Sequence, residues 1–121
     1  MKICFYALRE FDELEFCKKY SEEYNIDYVY TTEYPSRENV CLAEGCDAIS
    51  TTPCDMSAEM VEAFNKVGVK YITCRSIGYD HVDLDKAKEL GMRVSNVCYP
   101  SEGVADYAIM MMLMCLRNFS H

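Results

Sequence analysis

The side chains with most to offer chemically fall in four short stretches: Leu8-Arg9, Thr52-Pro53-Cys54, Arg75-Ser76-Ile77-Gly78-Tyr79-Asp80 and Cys98-Tyr99-Pro100-Ser101. In the third, Gly78 has the freedom to take a positive φ and turn successive backbone N–H groups toward one point, a nest that suits a carboxylate. A tight strand-to-helix turn that binds nothing accounts for the same residues. Arg9 brings a guanidinium able to grip a carboxylate with two parallel bonds, while Glu10, Asp12 and Glu13 just after it offer a surface ion pair instead. Tyr99 adds a phenolic hydroxyl, although among ten tyrosines most serve amphipathic packing. His81 is the one internal histidine, and Asp83 beside it points to a structural hydrogen bond rather than to general-base work. No residue of the chain is assigned a catalytic role.

Several other chemistries are excluded. The glycines stand singly at 45, 68, 78, 91 and 103, so no Gly-x-Gly-x-x-Gly brings backbone against a pyrophosphate, and no dinucleotide site is expected. Leu8-Arg9-Glu10 is not the Ser/Thr-rich cradle of a flavin mononucleotide, and Thr51-Thr52-Pro53 lacks the aspartate of a phosphoacceptor domain. Of eight cysteines, Cys4, Cys17, Cys41, Cys74 and Cys115 sit in apolar segments, which reads as reduced core residues rather than a disulfide framework. With only His81 and His121 beside them, no metal site is expected. A net charge of -8 argues against nucleic acid and anionic membrane as partners. The apolar run at Met1–Ala7 is too short for a signal peptide and Arg9 follows it, so a cytoplasmic protein is expected.

Positioning these loops requires a sheet, and 121 residues, half of them hydrophobic, suffice for one domain. Short β-branched and aromatic runs predict strands over Lys2–Ala7, Asp27–Thr31, Ala48–Thr51, Tyr71–Cys74 and Arg93–Val97. Phe11, Leu14, Phe16, Cys17 and Tyr20 form one helical stripe and Met60, Val61, Phe64 and Val67 another, and both helices are expected to pack on the sheet. Ser36, Ser57 and Asp83 read as N-caps, and Gly45, Gly68 and Gly91 as helix ends. The alternation predicts an α/β fold, a doubly wound parallel five-stranded sheet of flavodoxin-like order, with the four loops on its ligand edge. From Val104 to Leu116 almost no polar face remains. That helix is too short for a bilayer, which takes roughly twenty residues, and calls for burial against another domain or subunit.

Tyr6-Ala7-Leu8-Arg9-Glu10, the stretch Gly68-Val69-Lys70-Tyr71-Ile72-Thr73-Cys74-Arg75-Ser76-Ile77-Gly78-Tyr79-Asp80-His81-Val82-Asp83, and Val94-Ser95-Asn96-Val97-Cys98-Tyr99 occur in this order, followed by Ala105-Asp106-Tyr107 and Leu116-Arg117-Asn118. On these residues the chain resembles the N-terminal part of the D-isomer-specific 2-hydroxyacid dehydrogenases, most closely their D-lactate dehydrogenase branch. The resemblance implies that Ile77 and Gly78 amides hold the carboxylate of a small 2-oxo acid, that Tyr99 closes the pocket and that Arg9 lies nearby. It implies a substrate domain over residues 1–100 and, over 101–121, the start of a helix that bridges to an NAD-binding domain and makes a dimer contact. The NAD and the catalytic arginine, glutamate and histidine would lie in that other domain, so the chain is expected to be a piece of the enzyme, inactive alone and without NAD of its own. The family's Tyr-Ser-Pro reads Tyr99-Pro100-Ser101 here, which sets the rigid residue against the tyrosine. A stand-alone carboxylate-binding module that dimerises through its C-terminal helix is the alternative reading.

Overall fold

The computed structural model describes residues 1–119; Ser120 and His121, the second histidine weighed above, lie outside the described residues. Five four-residue strands, β1 (Lys2–Phe5), β2 (Asp27–Tyr30), β3 (Ala48–Thr51), β4 (Tyr71–Cys74) and β5 (Arg93–Asn96), form one sheet of order β2-β1-β3-β4-β5. All pairings are parallel, and the order is the flavodoxin-like one. The predicted strands therefore stand, with β1, β2 and β5 closing one or two residues earlier than the apolar runs suggested.

Register places Val29, Cys4, Ile49, Ile72 and Val94 in one row across the sheet. That row faces α2 (Ala58–Lys66) and α3 (Leu84–Glu89), and Cys4, Ile49, Ile72, Val61 and Phe64 are fully buried there. The Met60, Val61 and Phe64 stripe packs as expected. Phe64 meets the Tyr6 ring edge-on at 5.5 Å, and the Tyr6 hydroxyl donates to the Asn39 carbonyl at 2.8 Å, so the one polar atom of this aromatic core pair is satisfied.

The opposite face differs from expectation. Only α1 (Leu14–Tyr24) lies on it, and none of its residues is buried; Phe16 and Tyr20 stay exposed, and Phe11 precedes the helix altogether. Periodicity chose the correct side of α1, but a single helix cannot seal a sheet face. An open apolar cleft of about 290 Å³ remains between α1 and β1–β2, lined by Ile3, Phe5, Phe16, Cys17, Tyr20 and Tyr28.

Punctuation was read with mixed success. Asp83 caps α3, its Oδ1 accepting from the Lys86 amide at 2.8 Å, and Gly45, Gly68 and Gly91 all take positive φ. Ser57 occupies the N-cap of α2 without a side-chain cap bond. After Ser36 no α-helix forms. Asn39 organises the segment instead, accepting from the Ser36 amide and donating to the Tyr34 carbonyl, and a single 3-10 turn, Val40–Ala43, follows. The last helix, α4 (Glu102–Leu116), exists as predicted, and none of its residues is buried.

Candidate functional site

β1, β3, β4 and β5 end side by side, so the loops after them meet at one edge, where doubly wound sheets take their ligands. Arg75, the first residue of the loop after β4, sits on the extended ladder, its amide donating to the Thr51 carbonyl at 2.7 Å. Beyond it the loop is fastened to the end of β5. Asn96 Nδ2 donates to the Ile77 carbonyl at 2.7 Å, the Val97 amide donates to the Ser76 carbonyl at 3.2 Å, and Ser76 Oγ donates to the Gly78 carbonyl at 2.7 Å.

This lacing decides where the amides go. In a trans peptide the N–H opposes the C=O, so pinning the Ile77 carbonyl toward Asn96 sends the Gly78 N–H the other way. Among the described residues, no acceptor takes the amides of Ile77, Gly78, Tyr79 or Asp80. Four successive donors thus remain open to a ligand. The route to this arrangement is not the one expected, because Gly78 does not take a positive φ. Side-chain hydrogen bonds from Asn96 and Ser76, rather than a left-handed glycine, set the loop. A Cβ at Gly78 would meet only Asp80 Oδ2, at 4.0 Å.

The other candidates divide. Arg9 stands on the same edge, its side chain 59% exposed and paired with Asp12 at 3.0 Å and Glu13 at 3.7 Å, so its acidic neighbours hold it as foreseen. Tyr99 is 51% exposed and has no hydrogen-bond partner among the described residues. It follows Asn96 by three residues, on the connection from β5 to α4. His81 does not bond to Asp83, whose carboxylate is spent on capping α3; His81 Nε2 lies 3.8 Å from Cys74 Sγ instead. Burial pushes the thiols of both Cys74 and Cys54 upward from their ordinary value, which keeps them protonated and poor nucleophiles.

The cysteine expectation needs correction as well. Of the five read as core residues, Cys4 and Cys74 are buried and Cys17 is half-buried, whereas Cys41 and Cys115 are exposed; Cys46, unremarked in sequence, is in the core. The described cysteines are free, and no group of three metal-ligating side chains comes together among the described residues.

Four polar residues escaped sequence reasoning. Asn96 and Ser76 shape the loop, Arg75 ties it to β1, and Thr52 Oγ1, on the same edge, is buried without a partner. Arg75, Ser76 and Thr52 lay in stretches flagged by the sequence, without these contacts being foreseen, whereas Asn96 lay in none of the four. The first strand-to-helix loop, on the same edge, carries three carboxylates, Glu10, Asp12 and Glu13.

A sheet of this order with unpaired amides, a guanidinium and an orphan hydroxyl along its carboxyl edge makes this a doubly wound α/β domain with hydrogen-bond donors gathered on one edge. The sequence matches the D-isomer specific 2-hydroxyacid dehydrogenase catalytic domain over residues 4–116, and the chain belongs to that family. It is 38% identical over 110 residues, 90% of its length, to a D-specific alpha-keto acid dehydrogenase of Enterococcus faecalis, and covers 34% of that protein. It is 36% identical over 124 residues to the D-lactate dehydrogenase of Escherichia coli, with 98% of this chain and 36% of that one aligned. The apo-structure of D-lactate dehydrogenase from Escherichia coli superposes with a TM-score of 0.80 at 34% identity, covering 94% of this chain and 36% of the other. The chain therefore spans about a third of the length of the relatives it matches.

Proposed function

We infer that this chain is the substrate-holding domain of an NAD-dependent D-2-hydroxyacid dehydrogenase, with the interconversion of pyruvate and D-lactate as the reaction it serves. The open amides of Ile77 and Gly78, on a loop held by Asn96, carry this reading. They present paired N–H donors to a carboxylate without the cost of breaking an existing hydrogen bond. Arg9 supplies the countercharge on the same edge once substrate competes for it with Asp12 and Glu13, and Tyr99 borders the site from the β5–α4 connection. A 2-oxo acid offers the charged end that this edge can recognise.

The same edge is open. Tyr79 and Tyr99 are 45% and 51% exposed, so a bound 2-oxo acid would keep one side in water. Hydride transfer from NADH calls for a second wall and a nicotinamide site, and both fall to a companion domain. Residues 1–100 are then the substrate half, and 101–121 the helix that bridges to the NAD half and to a second subunit. On this reading the protein works in the cytoplasm, and the chain by itself holds substrate without turning it over. The bare apolar length of α4 also favours a second reading, a small-carboxylate-binding module that pairs through that helix.

The test is a titration of the 15N-labelled chain with pyruvate. Ile77 and Gly78 amide resonances are expected to move together, with a dissociation constant on the order of millimolar for so small and exposed a ligand. Loop resonances that ignore pyruvate would remove the carboxylate grip, and NADH oxidation by the purified chain would remove its inactivity.

A further inference from the structure

Arg75 lies at the ligand edge, yet it is no free cation. Its Nη2 donates to the carbonyls of Tyr6 and Ala7 at 2.9 and 3.0 Å, and its Nη1 donates to Ser50 Oγ at 3.2 Å. Its Nε donates to Glu13 Oε1 at 3.2 Å, and the guanidinium carbon stands 5.9 Å from the Phe5 ring centroid. The side chain is only 19% exposed. One planar group therefore fastens the ends of β1, β3 and β4 and the start of α1 together.

Two observations give this clamp a direction. Ala7 has φ +50°, the left-handed region that a Cβ disfavours, and its amide donates to the Glu33 carbonyl at 2.8 Å while its carbonyl is held by Arg75. From this strained turn the chain passes to Leu8 and Arg9. Glu13, meanwhile, divides its carboxylate: Oε1 goes to Arg75, and Oε2 accepts from the Arg9 amide at 2.7 Å. The turn that presents Arg9 is thus held by the side chain of the very residue from which the loop bearing the Ile77 and Gly78 amides departs.

We propose that Arg75 is a positioning residue for substrate: it fixes the separation between Arg9 and the Ile77–Gly78 amides, acting through Tyr6, Ala7 and Glu13 and touching no ligand itself. The proposal rests on the carboxylate grip inferred above. Its chemistry is specific to arginine. Three nitrogens must point in three directions within one plane, and a lysine keeps the charge while losing that fork.

The experiment compares the wild-type chain with Arg75→Lys and Glu13→Ala. In ligand-free spectra, both variants are expected to displace the Ile77 and Gly78 amide resonances, and Arg75→Lys to speed their hydrogen exchange by about tenfold as the loop loosens. In the pyruvate titration, the folded Arg75→Lys chain is expected to bind at least ~5-fold more weakly, because a point charge does not replace the fork. A purely structural arginine would lower the melting temperature and leave the affinity of the folded fraction unchanged, and that result overturns the proposal. Ligand-free loop resonances that match wild type in both variants overturn it as well, whatever pyruvate does. Wild-type amides that ignore pyruvate remove the grip and with it the purpose assigned to Arg75, even where the ligand-free spectra show the clamp. The two failures are thus read from different spectra. If Arg75→Lys does not fold, Glu13→Ala, which keeps the guanidinium and its backbone bonds, carries both readouts, and unchanged affinity there overturns the proposal.

Discussion

Cys4 sits in the core row of the sheet with no exposed surface, and burial pushes its thiol from 9.0 up to about 11. Unfolding returns the thiol to water and to its ordinary value, so the folded chain holds that proton more tightly. The resulting stability is whole below about pH 9 and is lost as pH rises through about 11. Tyr6 shifts upward for the same reason, burial, and adds to the decline at still higher pH. Urea midpoints measured between pH 8 and 11 are expected to fall across that window, and to fall less steeply in Cys4→Ala; equal slopes would show that burial of this thiol is not what links stability to pH. At this scale the site was half legible. Arg9 and the loop from Arg75 could be found because their chemistry is local: charges in adjacent positions, and a turn between a strand and a helix. The contacts of Arg75 were hidden because its partners Glu13, Tyr6 and Ala7 lie 62 to 69 residues away along the chain. Asn96 was passed over for the same reason, since its partner Ile77 is 19 residues back, across a strand pair.

Elements were easier to read than side-chain partners, because periodicity is a property of the segment itself. β3 and β4 were found at their true bounds, and α2 buried Met60, Val61 and Phe64 of the stripe assigned to it, with Val67 just past its end and partly buried. The helix expected after Ser36 failed because a serine cap signals a start without guaranteeing residues that continue it; the Asn39 side chain is bonded to the preceding backbone at Ser36 and Tyr34, and only one 3-10 turn follows it. Where the cap does work, it is testable. α3 has six residues, so the bond from Asp83 to the Lys86 amide is a large share of what holds its first turn. Asp83→Ala is expected to cost about 1 kcal/mol of stability and Asp83→Asn much less, because asparagine still accepts that bond. Urea denaturation measures both, and an alanine variant as stable as wild type would show that the cap is idle. The start of α3 lies just past the loop from Arg75 to Asp80, so fraying there should also broaden the Asp80 and His81 amide signals.

For the whole molecule, the two faces of the sheet are unequal. Parallel sheets are stable when both faces are covered, and here one face carries α2 and α3 while the other carries α1 alone, above an open apolar cleft. Sequence patterning could not reveal this, because it shows that a face is apolar and not whether enough chain is present to cover it. α4 is the clearest case. Its apolar residues were identified from composition, and the structure leaves Ile109, Met110, Met111, Met112 and Leu113 all exposed. No helix among the described residues is long and apolar enough to cross a membrane. An apolar stripe of this extent draws a like surface to it in water, which favours association through α4. Ile109 and Leu113 lie one turn apart on a single face of the helix, beside Met110 and Phe119. Sedimentation of the wild-type chain is expected to show dimers growing in with concentration, and the double variant Ile109→Glu/Leu113→Glu to stay monomeric. Because neither side chain is buried within the chain, the variant should keep its far-ultraviolet spectrum and lose less than ~0.5 kcal/mol of stability at low concentration. A wild-type chain that remains monomeric at several hundred micromolar would remove α4 as an association surface, and a double variant that unfolds would show that α4 is held by its own domain after all.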